Sequence, residues 1–312
     1  MKSPGILAFL VLVAGFAFVA PAAAEEERDE NVETATAYYL SAAAAPGDGM
    51  SAWLLAEKLR VLPGESAESA QTISRLLEQA RAGAPNDARL RGLMVREGAI
   101  PAEPIEALDS DDIVVLLLAM SRDDIQDDPV ALQGLIHRAA QGGEFRPYYA
   151  AAVRSLYERF KSASVPDAYV REPGDDPALA TAFSLAAFSV PSYLPWTRAC
   201  RNARPPLSRD CHRLAEKIVS GSDCFIDALL AAAVLERSAE GPEQRKMAKA
   251  VRRQLGWLQQ QSTRVQWNAA SFSLFNELMQ REGELSAFRA VLQLQGLSLV
   301  PPADYQPRPL AP

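Results

Sequence analysis

Phe225-Ile226-Asp227-Ala228-Leu229-Leu230-Ala231-Ala232-Ala233-Val234 is the stretch that decides the fold class of this 312-residue chain. Within it Phe225, Ile226, Leu229, Leu230, Ala233 and Val234 recur at spacings of three and four, the period of a helix face and not of a strand. Similar stripes run through Leu132, Leu135, Ile136 and Ala139 and through Met247, Val251, Leu255 and Leu258. Alanine, the strongest helix former, is abundant, and period-two runs of β-branched and aromatic residues are missing. The expected fold is all-α: antiparallel helix pairs, about a dozen helices, forming an irregular helical array or a degenerate solenoid.

Boundary residues agree with this reading. Asp127-Asp128-Pro129 offers an N-cap followed by proline at the first helical position, and Gly142-Gly143 offers a left-handed stop for the same helix. Pro242 after Gly241, and Gly283 before Glu284-Leu285, punctuate the C-terminal third in the same way. The doublets Asp111-Asp112, Asp123-Asp124, Asp127-Asp128 and Asp175-Asp176 each precede an apolar helical run. They lack the order of a calcium loop and are read as N-caps that complement the helix dipole.

The N-terminus has the order of a secretory signal peptide: Lys2, an apolar run from Ile6 to Ala20, then Pro21 and Ala22-Ala23-Ala24 before a charged segment that begins at Glu25. The apolar run falls short of the roughly 20 residues that span a bilayer, so an uncleaved anchor is the weaker alternative. Cleavage is expected after Ala24. No cysteine follows it, which removes lipoprotein anchoring, and the mature product is expected to be periplasmic or secreted. A net charge of −7, without a Lys/Arg-rich run, disfavours capture of nucleic acid or of an anionic membrane.

Five regions are expected: a signal peptide over 1–24, an N-terminal helical-hairpin region over 25–163, a linker over 164–177, a C-terminal helical bundle with the cysteines over 178–298, and a proline-rich disordered tail over 299–312. The linker follows from the poor apolar periodicity between Ser162 and Pro177, which contains Pro166, Pro173 and Gly174.

The three cysteines are Cys200, Cys211 and Cys224. Cys211 falls on the stripe Leu207, Cys211, Leu214, Ile218, and Cys200 lies near the end of the preceding helix, before Arg204-Pro205-Pro206, so the two can meet across a helical hairpin. Cys224 lies off the Phe225 stripe and is the expected free thiol; Cys211 with Cys224 is the alternative pairing. A staple suits an oxidising compartment, and the C-x-x-C of a redox pair is missing. No metal and no cofactor are expected, since adjacent Cys211 and His212 diverge on a helix and no ligand spacing supports a site. His137 lies on a polar face with Gln133 and Gln141, and His212 lies off the apolar stripe.

No catalytic motif is found: no G-x-S-x-G, no H-E-x-x-H and no phosphate-binding glycine loop. Ser220-Gly221-Ser222-Asp223 reads as a loop capping the next helix. In the aromatic group near residue 150, Tyr149, Val153, Leu156 and Phe160 share a core face. Tyr148, Ala152 and Tyr157 lean to another face, which makes Tyr148 and Tyr157 the candidate ligand contacts.

Asp112-Ile113-Val114-Val115-Leu116 placed over Arg146-Pro147-Tyr148-Tyr149-Ala150 gives an offset of 34 residues, and Trp53-Leu54-Leu55-Ala56 has the look of a first-helix core. Over residues 50–160 the chain thus resembles tetratricopeptide-like helical repeat proteins, although the full tryptophan, leucine, glycine, tyrosine pattern is not met and Asp87 breaks the register. The resemblance implies stacked hairpins with a concave binding face. The expected function is accordingly that of an exported, non-enzymatic helical protein, an interaction or scaffold module of the bacterial envelope whose partner is another protein or a peptide. The alternative is an all-helical cell-wall or polysaccharide enzyme with dispersed carboxylates, which leave no local signature; a purely structural envelope component is the third reading.

Overall fold

The computed structural model describes residues 25–62, 66–102, 111–166 and 176–307, with backbone only for 25–31. The expected signal peptide therefore lies outside the described residues, as does most of the expected linker. The helices are, in chain order, α1 (Glu25–Ala44), α2 (Gly49–Val61), α3 (Ala67–Gly83), α4 (Ala88–Arg96), α5 (Ile113–Met120), α6 (Asp123–Gln126), α7 (Pro129–Gln141) and α8 (Tyr149–Phe160). They continue with α9 (Pro177–Ala186), α10 (Leu194–Cys200), α11 (Leu207–Gly221), α12 (Phe225–Ser238), α13 (Pro242–Ser262), α14 (Ala269–Glu282) and α15 (Glu284–Leu294). No strand occurs among the described residues; one isolated bridge pairs Asp112 with Glu144. The protein is all-α, built of packed helix pairs.

Two compact units form, and each gathers distant stretches of chain. The first takes residues 1–83, 151–189 and 268–272, and the second takes 84–150, 190–267 and 273–312. This grouping does not follow a single break at 164–177, because the first unit takes residues on both sides of that segment. Burial decides the grouping. Phe160 lies against the rings of Tyr38 and Tyr39, and α9 packs on α2.

The first unit is centred on α2, which packs along α3 and buries Trp53, Leu54 and Leu55. Arg159 is fully buried there. Its guanidinium donates to the Ala45 carbonyl at 2.8 Å, an orphan acceptor just beyond the C-terminus of α1, to Ser51 Oγ of α2 at 2.8 Å and to Gln79 Oε1 of α3 at 3.1 Å. Gly47 is required beside it, since a Cβ would sit 2.1 Å from Arg159 Nε.

The second unit is built around α12, which packs against both α11 and α13. Of the stripe expected on α12, Phe225, Leu229, Ala233 and Val234 are buried while Ile226 and Leu230 are only half-buried; Asp227, Ala228, Ala231, Ala232 and Leu235 are buried as well, so the helix is enclosed on most sides. The stripe Leu132, Leu135, Ile136, Ala139 of α7 is buried as expected, against α11 and α5. On α13, Leu255 and Leu258 are buried and Val251 half-buried but Met247 is exposed, because it faces outward where the adjacent Ala248 takes the buried position.

Asp112, Asp128 and Asp176 cap α5, α7 and α9 by accepting first-turn amides, and Asp123-Asp124 occupy the first turn of α6. Gly142 keeps a right-handed φ of −100°, so α7 does not end on the expected left-handed glycine. Ser220 and Gly221 belong to the last turn of α11 and not to a loop. Asp112 opens α5 directly, whereas Arg146 lies ahead of α8, which starts at Tyr149. The described part of the tail also departs from the expectation of disorder, while residues 308–312 lie outside the described residues. Residues 301–307 fold back on α13, because Tyr305 has an aromatic partner in Trp257, with ring centroids 5.0 Å apart.

Candidate functional site: a buried carboxylate cluster

The loop between α11 and α12 and the turn between α14 and α15 interlock within the second unit. The Leu285 amide donates to the Asp223 carbonyl at 3.2 Å, and in return Glu284 Oε2 accepts the Phe225 amide at 2.8 Å, capping the start of α12. Gly283 makes the turn possible with a left-handed φ of 87°; a Cβ there would lie 2.3 Å from Asp223 Cβ. Asp223 caps a second helix, since its Oδ2 accepts the Ala150 amide in the first turn of α8 at 3.1 Å. Both carboxylates therefore meet the positive ends of helices.

Asp227 completes the cluster one helical turn after Asp223. The Tyr148 hydroxyl donates to its Oδ1 at 3.1 Å, and Ser222 Oγ lies 3.3 Å from its Oδ2. Ser222 Oγ has a single proton, directed at both the Cys224 carbonyl at 3.0 Å and Asp227 Oδ2. The Tyr193 hydroxyl faces Asp227 without completing a hydrogen bond of normal geometry, and Asp223 Oδ1 is buried without a partner.

Fractional exposures are 0% for Asp227, 3% for Glu284, 7% for Asp223 and 4% for Tyr148. Burial pushes Asp227 up to about 7, and the nearby Asp223 carboxylate adds to the push against the hydroxyls of Tyr193, Tyr148 and Ser222 that face it. Burial likewise raises Glu284 to about 7, opposed by the Phe225 amide. Asp223 is raised by burial and eased by the backbone amides it caps and by Arg89, whose guanidinium is engaged by Asp112 at 2.7 Å. Burial also lifts the Cys224 thiol well above its ordinary value, which leaves it protonated and unreactive. The chemistry available is that of a proton store inside a helical core. Among the described residues no group of three His, Cys, Asp or Glu side chains is arranged to hold a metal ion.

The residues singled out from sequence distribute as follows. Cys200 and Cys211 form the disulfide, with Cα atoms 5.8 Å apart, and Cys224 is free and buried. That bond is compatible with an oxidising compartment. Tyr148 and Tyr157 do not make a common ligand face: Tyr148 turns inward to Asp227, and Tyr157, in the first unit, donates to Asp176 Oδ2 at 3.0 Å. The hydroxyl of Tyr148 draws it inward, because a buried carboxyl offers it an acceptor. The core face Tyr149, Val153, Leu156, Phe160 is buried as expected. His137 is exposed and pairs with Asp210 at 2.9 Å, while His212 is buried beside Ser238 at 3.3 Å. Asp223, Asp227 and Glu284 were not reached from sequence. Asp227 does carry a signal, as the one charged residue between Asp223 and Glu236; Glu284 carries none, since its partner lies 59 residues away.

Among the described residues no single helix is long and apolar enough to cross a membrane. Compared with protein-family models, curated proteins and solved structures, the chain matches none of them.

Proposed function

We propose that this chain is an exported, non-enzymatic helical protein, an interaction or scaffold module of the bacterial envelope, with helix pairs arrayed in the manner of a degenerate repeat solenoid. The observation that carries the reading is the condition of the carboxylate cluster. Its three acids are sealed from solvent and used as helix caps and as a tyrosine acceptor, a structural employment that leaves none of the three facing a substrate cleft. Export is supported by the leader-like N-terminus and by the disulfide. Exposed apolar side chains such as Val130 and Met247 are available to a partner.

Photo-crosslinking side chains placed at Val130 and Met247, in protein expressed in its native host, test this. A discrete covalent adduct in the envelope fraction is expected, unchanged in Asp227→Asn and Glu284→Gln. The reading fails if no adduct rises above the probe-free control, or if either substitution abolishes adduct formation while the fold is kept.

A further inference from the structure

Beyond α15 the chain turns at Gly296, with φ of 66°, and runs back over α13. Every hydrogen bond named here between helix and strap uses a strap carbonyl. Trp257 Nε1 donates to the Ser298 carbonyl at 2.8 Å, Gln254 Nε2 to the Leu299 carbonyl at 2.7 Å, and Arg253 Nε to the Tyr305 carbonyl at 3.1 Å, with its Nη2 on the Pro302 carbonyl. A surface that reads carbonyls alone accepts proline without penalty, because proline lacks only the amide donor. The strap carries Pro301, Pro302 and Pro307.

Shape adds to the match. The Tyr305 ring stands edge-on to Trp257, and Gly256 makes room for Pro307 and the Tyr305 hydroxyl, each of which a Cβ would approach to 3.1 Å. The outer side of the strap is open at Val300, which is mostly exposed among the described residues.

We propose that the face of α13 formed by Arg253, Gln254, Gly256 and Trp257 is a receptor for an extended, proline-containing peptide bearing an aromatic side chain, presented by a partner protein, and that the strap is its resident competitor. The proposal rests on the interaction reading above and names the chemistry of one partner. The strap already displays the ligand chemistry: carbonyls at 298, 299, 302 and 305 that accept from α13, prolines around them, and a tyrosine set edge-on to an indole. Because the strap is tethered at Gly296, its effective concentration is high, and an external peptide gains access when the strap loosens.

The probe is a fluorescein-labelled peptide of residues 297–307, titrated into the full chain. Tyr305→Ala weakens the strap but leaves the receptor face intact, so it is expected to bind the peptide about ten-fold more tightly than the unmodified chain. Tyr305→Ala combined with Arg253→Ala is expected to lose that gain. Equal binding of the peptide and a scrambled version to Tyr305→Ala overturns the proposal. Should that variant misfold, hydrogen exchange of the unmodified chain in excess peptide decides: amides of residues 298–307 must exchange faster, and unchanged exchange refutes it. A concentration-dependent dimer in sedimentation velocity that Arg253→Ala abolishes would mean that the occupant is a second copy, which overturns the partner claim. Failure of the peptide arms with persistent crosslinks at Val130 or Met247 removes this receptor and leaves the interaction reading standing.

Discussion

Replacing Asp227 by Asn tests the account of the buried cluster most directly. A carboxyl whose folded value is near 7 and whose unfolded value is near 4 holds its proton longer in the folded chain. The folded state then binds more protons than the unfolded state between those limits, so stability is greatest near pH 4, falls as pH rises toward 7, and is level above it. A gap of about three pH units, at 1.36 kcal/mol each, puts the loss from Asp227 at up to ~4 kcal/mol. Asn keeps an oxygen for the Tyr148 hydroxyl, and its N–H can be accepted by Ser222 Oγ, which lies 3.3 Å from the position it would take. Asp227→Asn is therefore expected to be close to neutral at pH 5 and to stabilise by about 2–4 kcal/mol at pH 8. Urea melts across pH 5 to 8.5 read this out, followed by fluorescence of Trp196, Trp257 and Trp267, which all lie in the second unit. A wild-type midpoint that climbs between pH 5 and 8, or a variant equally destabilised at both ends, would refute the reasoning.

Four further expectations follow from the same geometry. Cys200→Ser should lower stability by roughly 2–4 kcal/mol, and non-reducing peptide mapping should find Cys200 linked to Cys211 with Cys224 alkylated only after unfolding. Arg159→Met strands Ser51, Gln79 and the Ala45 carbonyl without a donor, and a loss of about 3 kcal/mol or more is expected in the transition reported by Trp53. Gly283→Ala combines a left-handed φ with a clash against Asp223; about 2 kcal/mol or more should be lost in thermal melts, and an unchanged midpoint would contradict the interlocked turns. Intact mass of protein from the native host should begin at Glu25, and a chain retaining residues 1–24 would sink the export reading.

Much of the architecture was legible because helices announce themselves locally. The stripes on α7 and α8 are read straight from spacing, and Asp112, Asp128 and Asp176 cap the helices they precede. Cys200 and Cys211 were legible as a pair because both lie on faces that a short helical hairpin must bring together. What was not legible is tertiary. Asp227 falls opposite the apolar stripe, and only the neighbours that enclose α12 on that side turn it from a surface residue into a buried acid. Glu284 looks like a first-turn acid of its own helix until the Phe225 amide, 59 positions earlier, is seen to be its partner. Tyr148 was assigned outward for the same reason: spacing places it on a second face, and the acceptor that draws it in comes from another helix. The tail was misjudged on composition, since proline content speaks against helix and sheet but not against a strap held by its carbonyls.

The alanines of α12 have a consequence for how this chain is able to vary over time. Ala228, Ala231 and Ala232 are all but inaccessible, and they let α11 and α13 approach the helix closely. Such positions have no slack: a single added methylene meets a close-packed wall and forces its neighbours off their rotamers, at about 1–3 kcal/mol. Exchange of Leu for Met elsewhere in the core is tolerated far better. Sequence drift should therefore be slowest at these small, chemically featureless residues. The exposed first turns of α13 are under no such constraint, so among descendants of this chain the alanine pattern of α12 should outlast most of its charged surface.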